Sequence, residues 1–200
     1  MVLERNDCPV PTSSSDESSL DIDNQDNCIE LWAKACGCWY DDPHGHYRSL
    51  GYRFYGFGGE AQIYAESDSF VHKICRIGQY SCLKAFYDRI VIQNTLCPIA
   101  ALEVEGYGRD NEGNFVVLLK QMFFRQAHLM TEIEISLFMH CLGFKEVLKE
   151  RYHNTIFLSD SVVVEDLHSG NIWMTAEGNV VIVDGYFAFN DYTNLSNENN

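Results

Sequence analysis

Residues 162–187, VVVEDLHSGNIWMTAEGNVVIVDGYF, restrict the architecture most: three short apolar runs, at 162–164, 171–174 and 180–183, are separated by a polar loop and by the turn sequence AEGN. Runs this short and this rich in β-branched residues suit strands rather than helices, and a Gly-containing turn between the last two predicts a hairpin. The segment also leaves Asp166 and Asp184 at the ends of apolar strands. A rigid scaffold holding loop carboxylates is where binding and catalysis concentrate.

The same extended pattern recurs upstream. YRFYGF at 52–57, then 61–64 and 70–74, read as a β-meander punctuated by Gly and Ser/Asp turns, and 100–107 with 115–121 flank DNEGN as a second hairpin. Three stretches carry helical spacing. CIELWAKACGCWY at 28–40 places Ile29, Trp32 and Ala33 on one side and stops at Gly37. The segment 81–96 sets Leu83, Phe86, Ile90 and Val91 among charged residues and ends before Pro98. The segment 131–139 opens with the capping box Thr131-x-x-Glu134, and the helix is expected to continue past Gly143 to Tyr152. DDPHGH between the first helix and the meander reads as a turn. Strands, helix, strands, helix and strands in that order give an α+β fold.

Bulk composition narrows the partners. At 200 residues and 46% hydrophobic the chain can build a packed core. Its formal charge of −15 and its lack of basic runs argue against nucleic acid and against an anionic membrane. No stretch approaches the roughly 20 apolar residues that span a bilayer, and no signal-peptide pattern opens the chain, so a cytoplasmic location is expected. There the eight cysteines are expected to be free thiols. Residues 1–26, acidic and serine-rich, are expected to form a disordered arm.

The chemistry lies in the spacing of Asp166, Asn171 and Asp184, five and then thirteen residues apart. Phosphoryl transfer from ATP needs oxygen ligands for magnesium and a carboxylate to orient the attacking hydroxyl. Asp184 and Asn171 suit magnesium, a hard cation, and Asp166 suits the base. His168 is softer, and is assigned to loop support. Upstream, the turn Gly56-Phe57-Gly58-Gly59 would let backbone approach phosphates closely, and Lys73 in FVHKI would contact the α and β phosphates. Lys84, Arg89 and Arg125 read as solvated cations. Cys36, Cys38, His44 and His46 are close in sequence, but their spacing departs from structural zinc sites, so a turn exposed to solvent is the preferred reading for the histidines.

These motifs, in this order, resemble protein-kinase-like phosphotransferases, most closely the kinase domains of bacterial polyvalent proteins encoded on mobile elements. The resemblance covers about residues 54–187 and rests on GFGGEAQIY, VHKI, QNTLCP, VVLLKQMFFRQA, TEIEISLFMHCLGF, DLHSGN and IVDGY. DLHSGN is also similar to the catalytic loop of aminoglycoside phosphotransferases. The resemblance implies a two-lobed fold, with a β-rich N-lobe over 27–126 and a truncated helical C-lobe over 127–200. It also implies a hinge near 120–124 that meets adenine, with Gln121 and Met122 on the nucleotide.

Three departures follow. The acid that would hold Lys73 is expected on the helix at 81–96, where Asp88 is the one carboxylate. Asp184 is followed by Gly185-Tyr186 in place of Phe-Gly, and sixteen residues remain after Asp184, so neither an activation segment nor a helical platform for a peptide is expected. The acceptor stays open between protein and small molecule, and a partner chain or a longer polyprotein context stays open with it. Two rivals remain: a degenerate kinase fold that senses nucleotide or binds protein, and a small zinc-stapled interaction domain.

Overall fold

A computed structural model of the chain describes residues 19–78, 80–149 and 154–190. The first helix, α1 (Ser19–Cys36), begins inside the stretch expected to be disordered, so the arm boundary at 26 is too late; residues 1–18 lie outside the described residues. Gly37, at φ +73°, adopts the left-handed conformation that ends the helix where the sequence placed its end.

A six-stranded sheet follows, built from β1 (Trp39–Tyr40), β2 (Arg53–Phe57), β3 (Ala61–Ala65), β4 (Phe70–Arg76), β5 (Leu102–Arg109) and β6 (Phe115–Met122) in the order β1-β5-β6-β4-β3-β2. Pairings are antiparallel except β1 on β5, which is parallel. That approach needs glycine: a Cβ on Gly108 would lie 2.3 Å from the Tyr40 carbonyl oxygen, and one on Gly106 2.5 Å from that of Cys38.

Strand β6 is central and buried on both faces, which explains its unbroken apolar run. Val117 and Leu119 pack with Leu83, Phe86 and Ile90 of α3 (Leu83–Leu96); Val116 and Leu118 pack with Tyr47, Tyr64 and Ile74 on the other face. Tyr47 comes from α2 (Pro43–Ser49), so the DDPHGH segment is not a turn but the start of a helix. Asp42 caps it by accepting from the Gly45 N–H at 2.8 Å, and Pro43 takes the first turn, where its missing N–H costs nothing. His44 is correspondingly buried, 3.0 Å from the Tyr64 hydroxyl, rather than in a solvated turn.

The expected helical character beyond residue 127 is not found. Among the described residues there, α4 (Glu132–Cys141) is the one helix, and the rest forms two sheets. One has the order β13-β10-β9-β8, from β8 (Lys145–Lys149), β9 (Asn154–Leu158), β10 (Val162–Glu165) and β13 (Tyr186–Phe189). The other has the order β12-β11-β7, from β7 (His128–Leu129), β11 (Ile172–Met174) and β12 (Val180–Ile182). Helix α4 stops short of Tyr152 because Gly143 turns into the left-handed region at φ +89° and the chain re-enters as β8. A third core joins α4 to both sheets through Ile135, Met139, Phe157, Val164, Ile172 and Phe187; Ile92 of α3 belongs to it, so α3 touches two cores.

Candidate functional site

The segment 182–185 runs out of β12 and carries Asp184. Three buried polar side chains hold its backbone. Gln93 Nε2 donates to the Ile182 carbonyl at 3.2 Å, Lys73 Nζ to that of Val183 at 3.0 Å, and Arg89 Nε to that of Gly185 at 3.2 Å. From the opposite side the Val183 and Asp184 N–H groups donate to the Asn171 carbonyl at 2.8 and 3.4 Å, which sets Asn171 beside Asp184. Because buried carbonyls left without donors are costly, these contacts fix the conformation of the segment. Gly185, at φ +150°, lies where an added Cβ would press on Phe187 and Leu167 at 3.1–3.3 Å.

The loop from β10 to β11 carries the other two members of the triple. Asn171 Nδ2 donates to the Asp166 carbonyl at 2.9 Å and to its carboxylate at 3.2 Å, which leaves the amide oxygen of Asn171 as a free acceptor. Asp166 has φ +61°, the one positive value outside glycine among the described residues. Aspartate tolerates this conformation better than most residues, and it concentrates at working sites. His168 Nδ1 accepts from the Gly170 N–H at 3.0 Å and its carbonyl accepts from the Asn171 N–H at 2.8 Å, so it is woven into the loop. The Asp166 side chain is 62% exposed and that of Asp184 37%, so both are open to a ligand.

Lys73 stands on β4 with 7% of its surface exposed. Burial pushes its pKa down, and the nearby Asp184 charge offsets only part of that effect. Asp88 is not its partner: that carboxylate pairs with Lys84 one turn away, at 2.5 Å. The buried charge on the helix is instead Arg89, 4% exposed, which bonds the Asp184 carboxylate through Nη2 and Glu60 through Nη1 at 3.4 Å. Arg89 was missed as a solvated cation, yet helix arithmetic carries a signal for it. Positions 86, 89, 90 and 93 fall on one stripe, and all four are buried.

Gly56 lies in β2, and the turn from β2 to β3 puts Gly58 and Gly59 beside Glu60. An added Cβ on Gly56 or Gly59 would meet nothing within 4 Å, and none of the three has positive φ, so neither conformation nor packing inside the chain demands glycine there. Glu60 accepts from the Tyr80 hydroxyl at 2.6 Å as well as from Arg89, which ties this turn to α3. At the far end of β6, the Gln121 side chain is buried and donates to the Ala100 carbonyl at 2.7 Å, so it is committed to the fold and not to a ligand. Met122 beside it is 46% exposed.

Among the described residues no group of three His, Cys, Asp or Glu side chains is placed to hold a metal, the Cys36/Cys38/His44/His46 set included. A carboxylate and an amide oxygen on adjacent backbone, Asp184 and Asn171, are instead a hard two-oxygen donor set. This fits magnesium shared with phosphate oxygens, which keeps few protein ligands, rather than an ion caged by protein alone. Arg89 and the Gly185 N–H both bind Oδ1 of Asp184, which leaves Oδ2 for a metal.

A cavity of about 780 Å³ opens beside Asp166, between α4 and strands β8 and β9. Its lining includes Glu132, Ser136, His140, Glu146 and His168, with apolar surface from α4. The volume is in the range of small-molecule sites.

A sheet with a glycine turn and a buried lysine, facing a segment that carries Asp166, Asn171 and Asp184, defines a kinase-like protein. Residues 23–191 match the family model described as serine/threonine/tyrosine kinase found in polyvalent proteins, and the chain belongs to that family. No curated protein and no solved structure matches it. No helix among the described residues is long and apolar enough to cross a membrane.

Proposed function

We propose that the chain binds ATP with magnesium and transfers the terminal phosphoryl group to a hydroxyl acceptor. The observation that carries this is the convergence of Lys73 and Asn171 on the Val183–Asp184 backbone, with Asp166 bonded in turn to Asn171. Four residues from β4, the β10–β11 loop and the end of β12 meet there, and each has a chemical use in phosphoryl transfer.

Lys73 and the glycine turn at 56–60 hold the phosphates, with Lys73 Nζ already aimed at the segment carrying Asp184. Asp184 and Asn171 offer the oxygens for magnesium, which when bound neutralises phosphate charge. Asp166 orients the acceptor hydroxyl and takes its proton as the new O–P bond forms; the bond from the transferred phosphorus to the bridging oxygen breaks, and ADP leaves. Met122 and the neighbouring backbone at 120–124 meet the adenine. The acceptor, protein or small molecule, enters through the cavity beside Asp166, whose described lining includes carboxylates and no lysine or arginine. That lining and the charge of −15 disfavour anionic acceptors such as nucleic acid.

A second reading is a degenerate kinase fold that senses nucleotide or binds protein without turnover. The Arg89 contact with Asp184 favours it, because Lys73 lacks a helix carboxylate as partner. Transfer from γ-labelled ATP, to water, to the chain itself or to an added acceptor, decides between them. Magnesium-dependent turnover lost in Asp166→Asn with nucleotide binding retained supports the enzyme; binding without turnover in the native chain supports the module.

A further inference from the structure

Arg89 is the buried charge for which the proposed chemistry has no use. It lies on the stripe of α3 that faces the core, 4% exposed, with its guanidinium spread over three partners. Nη2 meets Oδ1 of Asp184, Nε meets the Gly185 carbonyl at 3.2 Å, and Nη1 reaches Glu60 at 3.4 Å. The Tyr80 ring lies 5.9 Å from its centre, and Tyr80 also donates to Glu60 at 2.6 Å. A buried cation is costly unless its partners are fixed, and here the partners are the site itself.

The geometry of the contact matters more than its existence. The guanidinium takes one carboxylate oxygen of Asp184 and the carbonyl of the next residue, while the Gly185 N–H caps the same Oδ1 at 2.9 Å. The carboxylate is thereby held in one rotamer with Oδ2 turned away from both donors. Two hydrogen bonds in a planar fork give an orientation that a single ammonium cannot.

We propose that Arg89 is a positioning residue for the metal-binding carboxylate: it fixes Asp184 through Oδ1 so that Oδ2 presents to magnesium beside the Asn171 amide oxygen. This rests on the nucleotide reading above. Through Glu60 the same side chain also reaches the glycine turn, which keeps its own, shorter tie to Tyr80 when Arg89 is changed. Partners that orient a metal ligand typically change metal affinity about 10–100-fold when removed.

The test is the affinity for manganese(II), as a paramagnetic stand-in for magnesium, of the full chain saturated with ATP, read from water proton relaxation. Arg89→Met is expected to weaken metal binding at least about tenfold, and Arg89→Lys, which keeps the buried charge and is the safer variant to fold, by a smaller but resolved factor. ATP affinity without metal stays unchanged in both, which separates positioning from loss of structure. Asp88→Ala, on the same helix but off the contact, leaves both affinities alone. Unaltered metal affinity in the Arg89 variants, or tighter binding, overturns the proposal while leaving the nucleotide reading intact. A native chain that takes no metal with ATP overturns both.

Discussion

Lys73 Nζ donates to the carbonyl of Val183 at 3.0 Å, tying the central strand β4 to the residue directly ahead of Asp184. The lysine is buried and satisfied by a backbone oxygen rather than by a carboxylate of its own. Burial is the larger influence on it, the Asp184 charge the opposing one, and the balance lowers its pKa from 10.5.

That balance gives a pH dependence. Between the lowered folded value and 10.5 the unfolded chain holds a proton that the folded chain has released, so the unfavourable contribution of Lys73 is full below this window and vanishes above it. Lys73→Met removes the donor to the Val183 carbonyl at every pH but the buried charge only where the lysine is protonated, so the stability of the native chain relative to the Met variant is expected to rise with pH through that window. Denaturant unfolding at several pH values measures it. A stability difference between the two chains that does not change with pH contradicts the assignment.

Asp88 lies on the same helix as Arg89 but outside the site. Its partner Lys84 is 78% exposed, so Asp88→Ala is expected to change stability by about 0–1 kcal/mol and to leave ATP binding unchanged. Loss of nucleotide binding in this variant, read by calorimetry, would restore Asp88 as a partner of Lys73.

Thr131 and Glu134 form the reciprocal cap of α4: the Glu134 N–H donates to the Thr131 hydroxyl at 3.3 Å and the Thr131 N–H to the Glu134 carboxylate at 2.8 Å. Thr131→Ala removes one half of it and is expected to cost about 0.5–2 kcal/mol in chemical denaturation. The wall of the cavity beside Asp166 would loosen with the helix, since Thr131 lines it.

What the sequence made legible was governed by local rules. The meander, both hairpins and the α4 cap depend on neighbours in the chain, and glycine turns or a Thr-x-x-Glu spacing mark them. Helix α2 was misread because Asp42 and Pro43 serve a turn and a helix start equally well; burial of His44 and Tyr47 under the sheet decides the matter. Strands β8 and β9 were missed because KEVLK carries no clean alternation, and only pairing with NTIFL makes it a strand. At the site, Asp166, Asn171 and Asp184 announce themselves by chemistry and spacing. Arg89 and Gln93 do not, because their acceptors are carbonyls and a carboxylate more than 80 residues away in the chain. Gln121 shows the reverse error: a polar residue at the expected adenine edge spends its side chain on Ala100.

The central claim is that Lys73 and Asp184 belong to one magnesium-dependent nucleotide site. Thermal stability of the purified chain with ATP and magnesium, beside Lys73→Ala and Asp184→Ala, tests it most directly, because a ligand that binds only the folded state adds about 2.7 kcal/mol at a hundred times its dissociation constant. The account predicts a rise in melting temperature that requires magnesium and is lost in both variants. No rise in the native chain, or a rise that survives in both variants, contradicts it.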